Sequence, residues 1–437
     1  MLSSPAWDAI LGGEPRCYKI MKNNTVLITG GLGFIGLEVA KLLVEQRRPV
    51  VLFDNLSPQI HGAIPDLSAH RLLGSTQVKV FRGDVSNPSD WAAALTDVNA
   101  VVHLAAETGT AQSMYEISRY TATNVGGTAA LLNHLANHKH GVCKIILASS
   151  RSVYGEGAYQ CRRCGLVYPR ARSEQKFRSA YWQPECPVCR GPIDAAATPE
   201  EARTAPSSIY AATKLAQEDL VRIAAQALGI PAVILRLQNV YGEGQSLKNP
   251  YTGILSIFSN QLRLGKTLHL YEDGQESRDF VHVADVARAV ALGLASDGGN
   301  GATLNVGSGR PTSVEQVALR LQALFCRKTA PVVSGQYRVG DIRHGYADLA
   351  AIGSCLGFAP EVSLDEGLAR FVAWVKTQPA EPDRLDQATA ELVAHGLMPT
   401  YLSADLAREV PNSDEVSDRF LTLDDVLPHV KAKATSL

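Results

Sequence analysis

The sequence has no excess charge of either sign. Its formal net charge at pH 7 is −1, which removes the bulk electrostatic case for a nucleic-acid or membrane-surface partner. It has no apolar run long enough to span a bilayer. Asp8, Gly12, Gly13 and Glu14 interrupt the first twenty residues, where a secretory signal needs an unbroken apolar segment. No internal repeat stands out. These absences lead to the expectation of a soluble cytoplasmic protein without a nucleic-acid or membrane partner, whose start is Met1 or, equally well, Met21.

Cysteine is the other sparse resource. There are eight, and nothing suggests the secreted context in which they would form disulfides. Cys17, Cys143, Cys326 and Cys355 are scattered and read as small apolar residues or surface thiols. The other four form Cys161-x2-Cys164 and Cys186-x2-Cys189. Two such pairs have the spacing of knuckles that give four thiolates to one tetrahedral zinc. A closed set of four leaves no open position, so the expected ion is structural. The surrounding insert is basic, with Arg162, Arg163, Arg170, Arg172, Lys176, Arg178 and Arg190. That charge is either a solvated ribbon surface or a lid whose cations help hold an anionic ligand.

At 437 residues and 46% apolar, the chain can bury a large core. Thr25–Gly30 is a short β-branched run ending in glycine, the pattern of a buried parallel strand. The turn Gly30-Gly-Leu-Gly33-Phe34-Ile35-Gly36 then opens a helix to about Gln46. Such a turn lets backbone approach a pyrophosphate, whose charge is met by free N–H groups at the helix start. A second strand ends in Asp54, about 20 residues on, where a carboxylate takes the adenosine ribose hydroxyls and repels a 2′-phosphate. NAD is therefore expected over NADP.

Strands at Val78–Arg82 and Ala100–Leu104, helices at about Pro88–Leu95 and Tyr120–Asn137, and a strand at Lys144–Ala148 continue the alternation. The expected fold is α/β, a doubly wound parallel sheet of Rossmann type, with ligands off the carboxyl ends of its strands. Asp84 and Val85 then fall beside the adenine, and Leu104, Ala105 and Ala106 are small enough to let backbone pass close to the cofactor. Ile209–Leu228 is predicted as a helix carrying Tyr210 and Lys214 one turn apart on one face. A strand at Ala232–Arg236 follows. Helices at Pro250–Leu264, Val283–Leu294, Ser313–Phe325 and Leu364–Lys376 suggest a smaller second lobe.

The boundaries expected are 1–22 for an N-terminal extension and 23–240 for the dinucleotide domain, with 158–198 as the inserted ribbon. A mainly substrate-binding lobe follows over 241–378, and an acidic extension over 379–437. In that extension acids outnumber bases about two to one; a helix at Leu385–Leu397 is expected there, without a function.

A phenol titrates near ~10, and a lysine one turn away favours its anion. With Ser150 at a strand end to hold the substrate oxygen, Tyr210, Lys214 and Ser150 suit removal of an alcohol proton while its carbon gives up hydride to a nicotinamide.

These residues, with Asn124, Leu235-Arg-Leu-Gln-Asn239-Val-Tyr-Gly, Arg278-Asp-Phe-Val-His282 and Arg338-Val-Gly-Asp341, resemble the extended short-chain dehydrogenase/reductase family. The branch is that of nucleotide-sugar epimerases and dehydratases, and the similarity covers roughly 25–376. The resemblance implies that Tyr210 is general base and acid, that Lys214 orients the nicotinamide ribose, and that Ser150 holds the sugar hydroxyl. It places Asn124 at the cofactor, and Asn239, Arg278 and Arg338 at the diphosphate of a nucleotide-diphosphate sugar. It also implies a homodimer.

Family dehydratases carry an acid pair after the position of Ser150, where this chain has Arg151 and Ser152. The 4-epimerase reaction is therefore expected. The ribbon, with Cys164–Pro169 and the run from Asn249 to Phe258, resembles the group acting on dTDP-L-rhamnose and dTDP-6-deoxy-L-talose. Alternatives are a UDP-glucose type 4-epimerase, a 4,6-dehydratase or 4-ketoreductase, and a nucleotide-sensing scaffold.

Overall fold

In the computed structural model, residues 25–62, 71–249, 251, 253–379, 381–383 and 385–398 are described. The extension expected over 1–22 lies outside them, as does most of the acidic extension. The fold is built on strands β1 (Val26–Thr29), β2 (Val50–Asp54), β3 (Val78–Arg82), β4 (Ala100–His103), β5 (Lys144–Ser150), β6 (Ala232–Leu237) and β7 (Thr303–Val306). They form one sheet in the order β7-β6-β5-β4-β1-β2-β3, with every neighbouring pair parallel.

Successive side chains leave a strand on opposite faces, and both faces are buried. Ile28, Leu52, Val102, Ile146 and Leu235 enter one core. Their neighbours Leu27, Phe53, Val101, Leu147 and Ile234 enter the other, around the fully buried Trp91. This explains why the inner strands are largely continuous apolar runs, whereas the edge strand β3 carries Lys79 and Arg82 and stays largely exposed. Among the described residues no helix is long and apolar enough to cross a membrane.

The longer helices are α1 (Phe34–Glu45), α2 (Gly127–Asn137), α3 (Ile209–Leu228), α4 (Ile254–Arg263), α5 (Val283–Ala295), α6 (Val314–Leu324), α7 (Leu364–Thr377) and α8 (Leu385–Ala394). The helical run predicted at Tyr120–Asn137 contains a π-turn over Thr121–Gly126 before α2. α3 has the predicted bounds. It is capped by Ser208, whose side chain accepts from the Ala211 N–H, and ends at Gly229 in the left-handed region.

The chain does not divide cleanly at residue 240. After a small sheet built on Ser277–His282, α5 packs on the α1 side of the main sheet and β7 becomes its edge strand beside β6. The strand β7 was not anticipated because it has only four residues and carries a buried Asn305. That amide is satisfied by tertiary partners, the Tyr154 hydroxyl at 2.8 Å and the Thr198 carbonyl at 2.9 Å. A separate core of Leu255, Phe258, Phe280, Leu321, Leu368 and Phe371 joins α4, α6 and α7. The insert forms a three-stranded antiparallel sheet of Gly165–Val167, Tyr159–Cys161 and Ile193–Ala195.

Trp91 donates its indole N–H to the Val85 carbonyl at 2.9 Å and meets Phe53 edge-on. Replacing Trp91 by Ala leaves a cavity and an unpaired carbonyl and is expected to cost about 3–5 kcal/mol, read by denaturant unfolding.

Candidate active site

A cavity of about 850 Å³ opens at the carboxyl ends of the main strands. At one end is the glycine turn. A Cβ on Gly36 would lie 2.3 Å from the Gly30 carbonyl oxygen, so any side chain there would push the turn open. Gly30, Gly33, Phe34, Ile35, Gly36, Asp54, Val85, Leu104, Ala105 and Ala106 all line this cavity. Asp54 is oriented by the Leu32 N–H on one oxygen (3.0 Å) and the Leu56 N–H on the other (2.8 Å). Each oxygen keeps a lone pair for a ribose hydroxyl.

Three expected cofactor residues stand behind the wall rather than in it. Asp84 accepts from Asn55 at 3.0 Å and from Ser86 at 2.8 Å. Burial works to raise its carboxyl, but those hydrogen bonds outweigh it and hold the group below the ordinary value. Asn124 is fully buried. It accepts from the Glu107 N–H at 2.8 Å and donates to Thr213 at 2.9 Å, tying the loop after β4 to α3. Lys214 donates to the Ala148 carbonyl at 2.9 Å. Burial lowers its ammonium to about 8, with Glu218 opposing.

Ser150 and Tyr210 meet inside the cavity. The 3₁₀ turn after β5 is capped by Ser150, whose hydroxyl accepts from the Ser152 N–H at 3.2 Å. Burial raises the Tyr210 phenol above its ordinary value, while the Ser150 hydrogen bond and the Arg151 cation pull it down. The lowering was expected from Lys214. In the structure Lys214 points at the β5 backbone, and Arg151 has the electrostatic part instead. Arg151 lies on the cavity wall, its guanidinium against Gly345.

Asn239, Arg278 and Arg338 also reach the cavity. Arg278 donates to the Asp341 carboxylate at 2.8 Å and to the Ile342 carbonyl at 2.9 Å. Arg338 lies over the Tyr271 ring at 4.9 Å, and its Nε is buried without a partner. Gln238, Gln245, Asn249, Gln261 and Glu276 also line this cavity and each carries a buried polar atom without a partner. Buried polar groups are normally satisfied, so this concentration marks a site that awaits a polar ligand. Isolated glutamines and asparagines gave no spacing signal by which to find them.

The four cysteine sulfurs lie within 4.8 Å of one another. No residue of 158–198 lines the cavity. Arg162, Arg163, Arg170 and Arg190 face solvent, Arg178 pairs with Glu174 and Lys176 with Glu185. These cations are not placed as a lid. Leu385, Asp386 and Thr389 of α8, to which no function was assigned, do line the cavity. Glu391 of α8 accepts from the hydroxyls of Tyr115 and Tyr251, and His395 stacks on Tyr115 at 4.3 Å. The extension's beginning is therefore part of the cavity wall.

A family model for the NAD dependent epimerase/dehydratase family matches residues 26–173 and 185–307. The chain belongs to this family. It is an NAD-dependent enzyme fold with a nucleotide-sugar lineage. A dTDP-L-rhamnose 4-epimerase of Burkholderia thailandensis is 39% identical over 359 residues, 82% of this chain and 96% of that protein. The structure of Thermotoga maritima UDP-glucose 4-epimerase with UDP-glucose is 27% identical, with a TM-score of 0.66, over 80% of this chain and 98% of that one. MoeE5 in complex with UDP-glucuronic acid and NAD is 28% identical, with a TM-score of 0.64, over 81% and 99%. Within the family's glycine turn and cavity, the residues of this chain fit NAD.

Glu276 gives the cavity a pH dependence. Burial raises its carboxyl from 4.5 to about 7, with Arg278 opposing. The folded protein thus keeps a proton that the unfolded chain releases, so the stability it contributes is present below 4.5 and is lost as pH rises through about 7. Glu276→Gln should match wild type in melting temperature at low pH and exceed it above neutrality.

Proposed function

We propose that this chain is an NAD-dependent nucleotide-sugar 4-epimerase that interconverts dTDP-L-rhamnose and dTDP-6-deoxy-L-talose. Its chief support is the Ser150–Tyr210 hydroxyl pair on the cavity shared with the glycine turn, with Arg151 and Ser152, not carboxylates, following Ser150. Elimination of water from a sugar needs an acid and a base there, whereas inversion at C4 needs only proton removal and return. The choice of sugar is supported by the Burkholderia relative.

Tyr210, as phenolate, takes the C4 hydroxyl proton and later gives it back, while Ser150 holds the oxygen. Bound NAD, held by the glycine turn and Asp54, would supply the acceptor and donor for the C4 hydride. Lys214, held by the Ala148 carbonyl behind the wall, is assigned to the nicotinamide ribose on the family resemblance alone. Arg278, Arg338 and Asn239 are assigned to the diphosphate, where a planar guanidinium matches phosphate oxygens. With the phosphates fixed, the keto-sugar can turn over without leaving.

We also infer one structural zinc at Cys161, Cys164, Cys186 and Cys189. Cys161 and Cys189 sulfurs are 3.6 Å apart, close to the ~3.8 Å edge of a tetrahedron with 2.3 Å Zn–S bonds. The Cys189 N–H lies 3.5 Å from the Cys186 sulfur, a knuckle turn that would support a thiolate. Four reduced thiols suit a reducing compartment, in keeping with a cytoplasmic enzyme.

Pure protein incubated with dTDP-L-rhamnose should invert C4, and Tyr210→Phe should lower kcat by roughly 10²–10⁴-fold while retaining NAD. Failure to invert dTDP-L-rhamnose, dTDP-glucose or UDP-glucose would sink the proposed reaction. Elemental analysis should show about one zinc per chain, and Cys161→Ser with Cys164→Ser should remove it; zinc kept by that double variant would refute the site.

A further inference from the structure

The insert sends one cation inward. Arg172 lies between Gly165–Val167 and the short helix Glu174–Arg178, and its side chain is 1% exposed. Its Nε donates to Glu156 at 3.2 Å. One terminal nitrogen donates to Glu272 at 2.8 Å and to the Trp182 carbonyl at 2.9 Å. The other donates to the Asp341 carbonyl at 3.0 Å. Its flat face lies over Phe177 at 4.4 Å, and Phe177 stacks on Tyr337 at 4.8 Å.

Of these partners Asp341 lines the nucleotide-sugar cavity, Glu272 directly follows the cavity residue Tyr271, and Tyr337 directly precedes Arg338. The loop 336–344 carries Arg338, whose guanidinium has a free buried nitrogen in the cavity, and Asp341, which anchors Arg278. Arg343 in the same loop shares the Glu272 carboxylate with Arg172 at 2.9 Å and donates its backbone N–H to Glu156 at 2.9 Å. Glu272 has a left-handed backbone, φ +47°, unusual for a residue with a side chain. Two guanidiniums hold its carboxylate. Tyr159, on the first ribbon strand, accepts from the His344 N–H at 3.3 Å and donates to Glu156 at 3.2 Å. The ribbon thus touches both ends of the loop without touching the cavity.

We propose that Arg172 is a positioning residue through which the cysteine ribbon presets the loop 336–344, so that Arg278 and Arg338 meet the diphosphate of the substrate without rearrangement. This rests on the nucleotide-sugar reading of the cavity. A lysine at 172 can supply one charge but cannot span two carboxylates and two carbonyls at once, because only the guanidinium has that fork. Loss of the fork frees the loop, and ligand binding must then order it. The effect falls on ground-state binding, since Ser150 and Tyr210 lie on β5 and α3, which Arg172 does not contact.

The test uses the full chain with its NAD. Calorimetric titration with dTDP or UDP, without the sugar, should show Kd raised about tenfold or more in Arg172→Met and by an intermediate factor in Arg172→Lys. KM for the nucleotide sugar should rise in parallel, with kcat within about threefold of wild type and bound NAD unchanged. Arg172→Met leaves Glu156 and Glu272 without that partner, so Arg172→Lys and Glu272→Gln keep the question answerable if it does not fold. An unchanged nucleotide Kd in the folded variants, whatever happens to their melting temperature, overturns the proposal alone. A wild-type protein that binds neither dTDP nor UDP overturns the reading of the cavity, and this proposal with it.

Discussion

The active-site geometry depends on one buried ion pair. Glu218 of α3 is fully buried and receives two hydrogen bonds from Arg236 of β6, at 2.9 and 2.7 Å. The same carboxylate bonds Ser149 of β5, and Lys214 on the preceding turn bonds the Ala148 carbonyl. Arg236 continues outward to the Tyr154 hydroxyl and the Glu200 carbonyl. This web fixes the rotation and height of α3 against β5 and β6, and so sets Tyr210 beside Ser150. Two desolvated charges are costly unless every lone pair and proton finds a partner, and here the fork-to-carboxylate geometry and the flanking hydroxyls provide them.

That lock lets the chain between the two catalytic candidates be long. Closing a longer loop adds entropy cost only logarithmically, and the insert has a core of its own in Tyr159, Cys161, Val167, Cys186 and Ile193. Its entry and exit segments are pinned at the base. The Ala205 N–H donates to the Val153 carbonyl at 2.8 Å, and Gly155, at φ +64°, passes where a Cβ would lie 2.4 Å from the Ala205 oxygen. The ribbon is therefore an appendage to the sheet but a neighbour of the loop 336–344. Its basic surface, read as either solvated or a lid, is mostly solvated, and its one buried arginine acts between protein groups.

A similar displacement affects the groups expected to touch the cofactor. Asn124 and Lys214 were placed at NAD by the family resemblance, yet they bond backbone and side chains of the protein. Both hold the elements that form the wall. The helix α8 moves the other way. Its acidic sequence suggested no site, but Glu391 gathers Tyr115 and Tyr251, Asp383 just before the helix pairs with Lys266 at 2.7 Å, and Leu385, Asp386 and Thr389 line the cavity.

Local pattern determined much of this protein. The glycine turn, the tip carboxylate of β2, the Tyr210–Lys214 face of α3 and the two cysteine pairs each depend on residues within a few positions of one another. Strand and helix periodicity alone carried the doubly wound sheet. Tertiary structure decided what depends on partners far along the chain. It sent α5 and β7 back to the first sheet and satisfied Asn305 inside it. It turned Lys214 towards β5 and gave Arg151 the place beside Tyr210. It also made Arg172 a brace for residues some 170 positions later. A side chain's acidity and reach follow from burial and from which distant charges surround it, and no spacing rule within a segment encodes either.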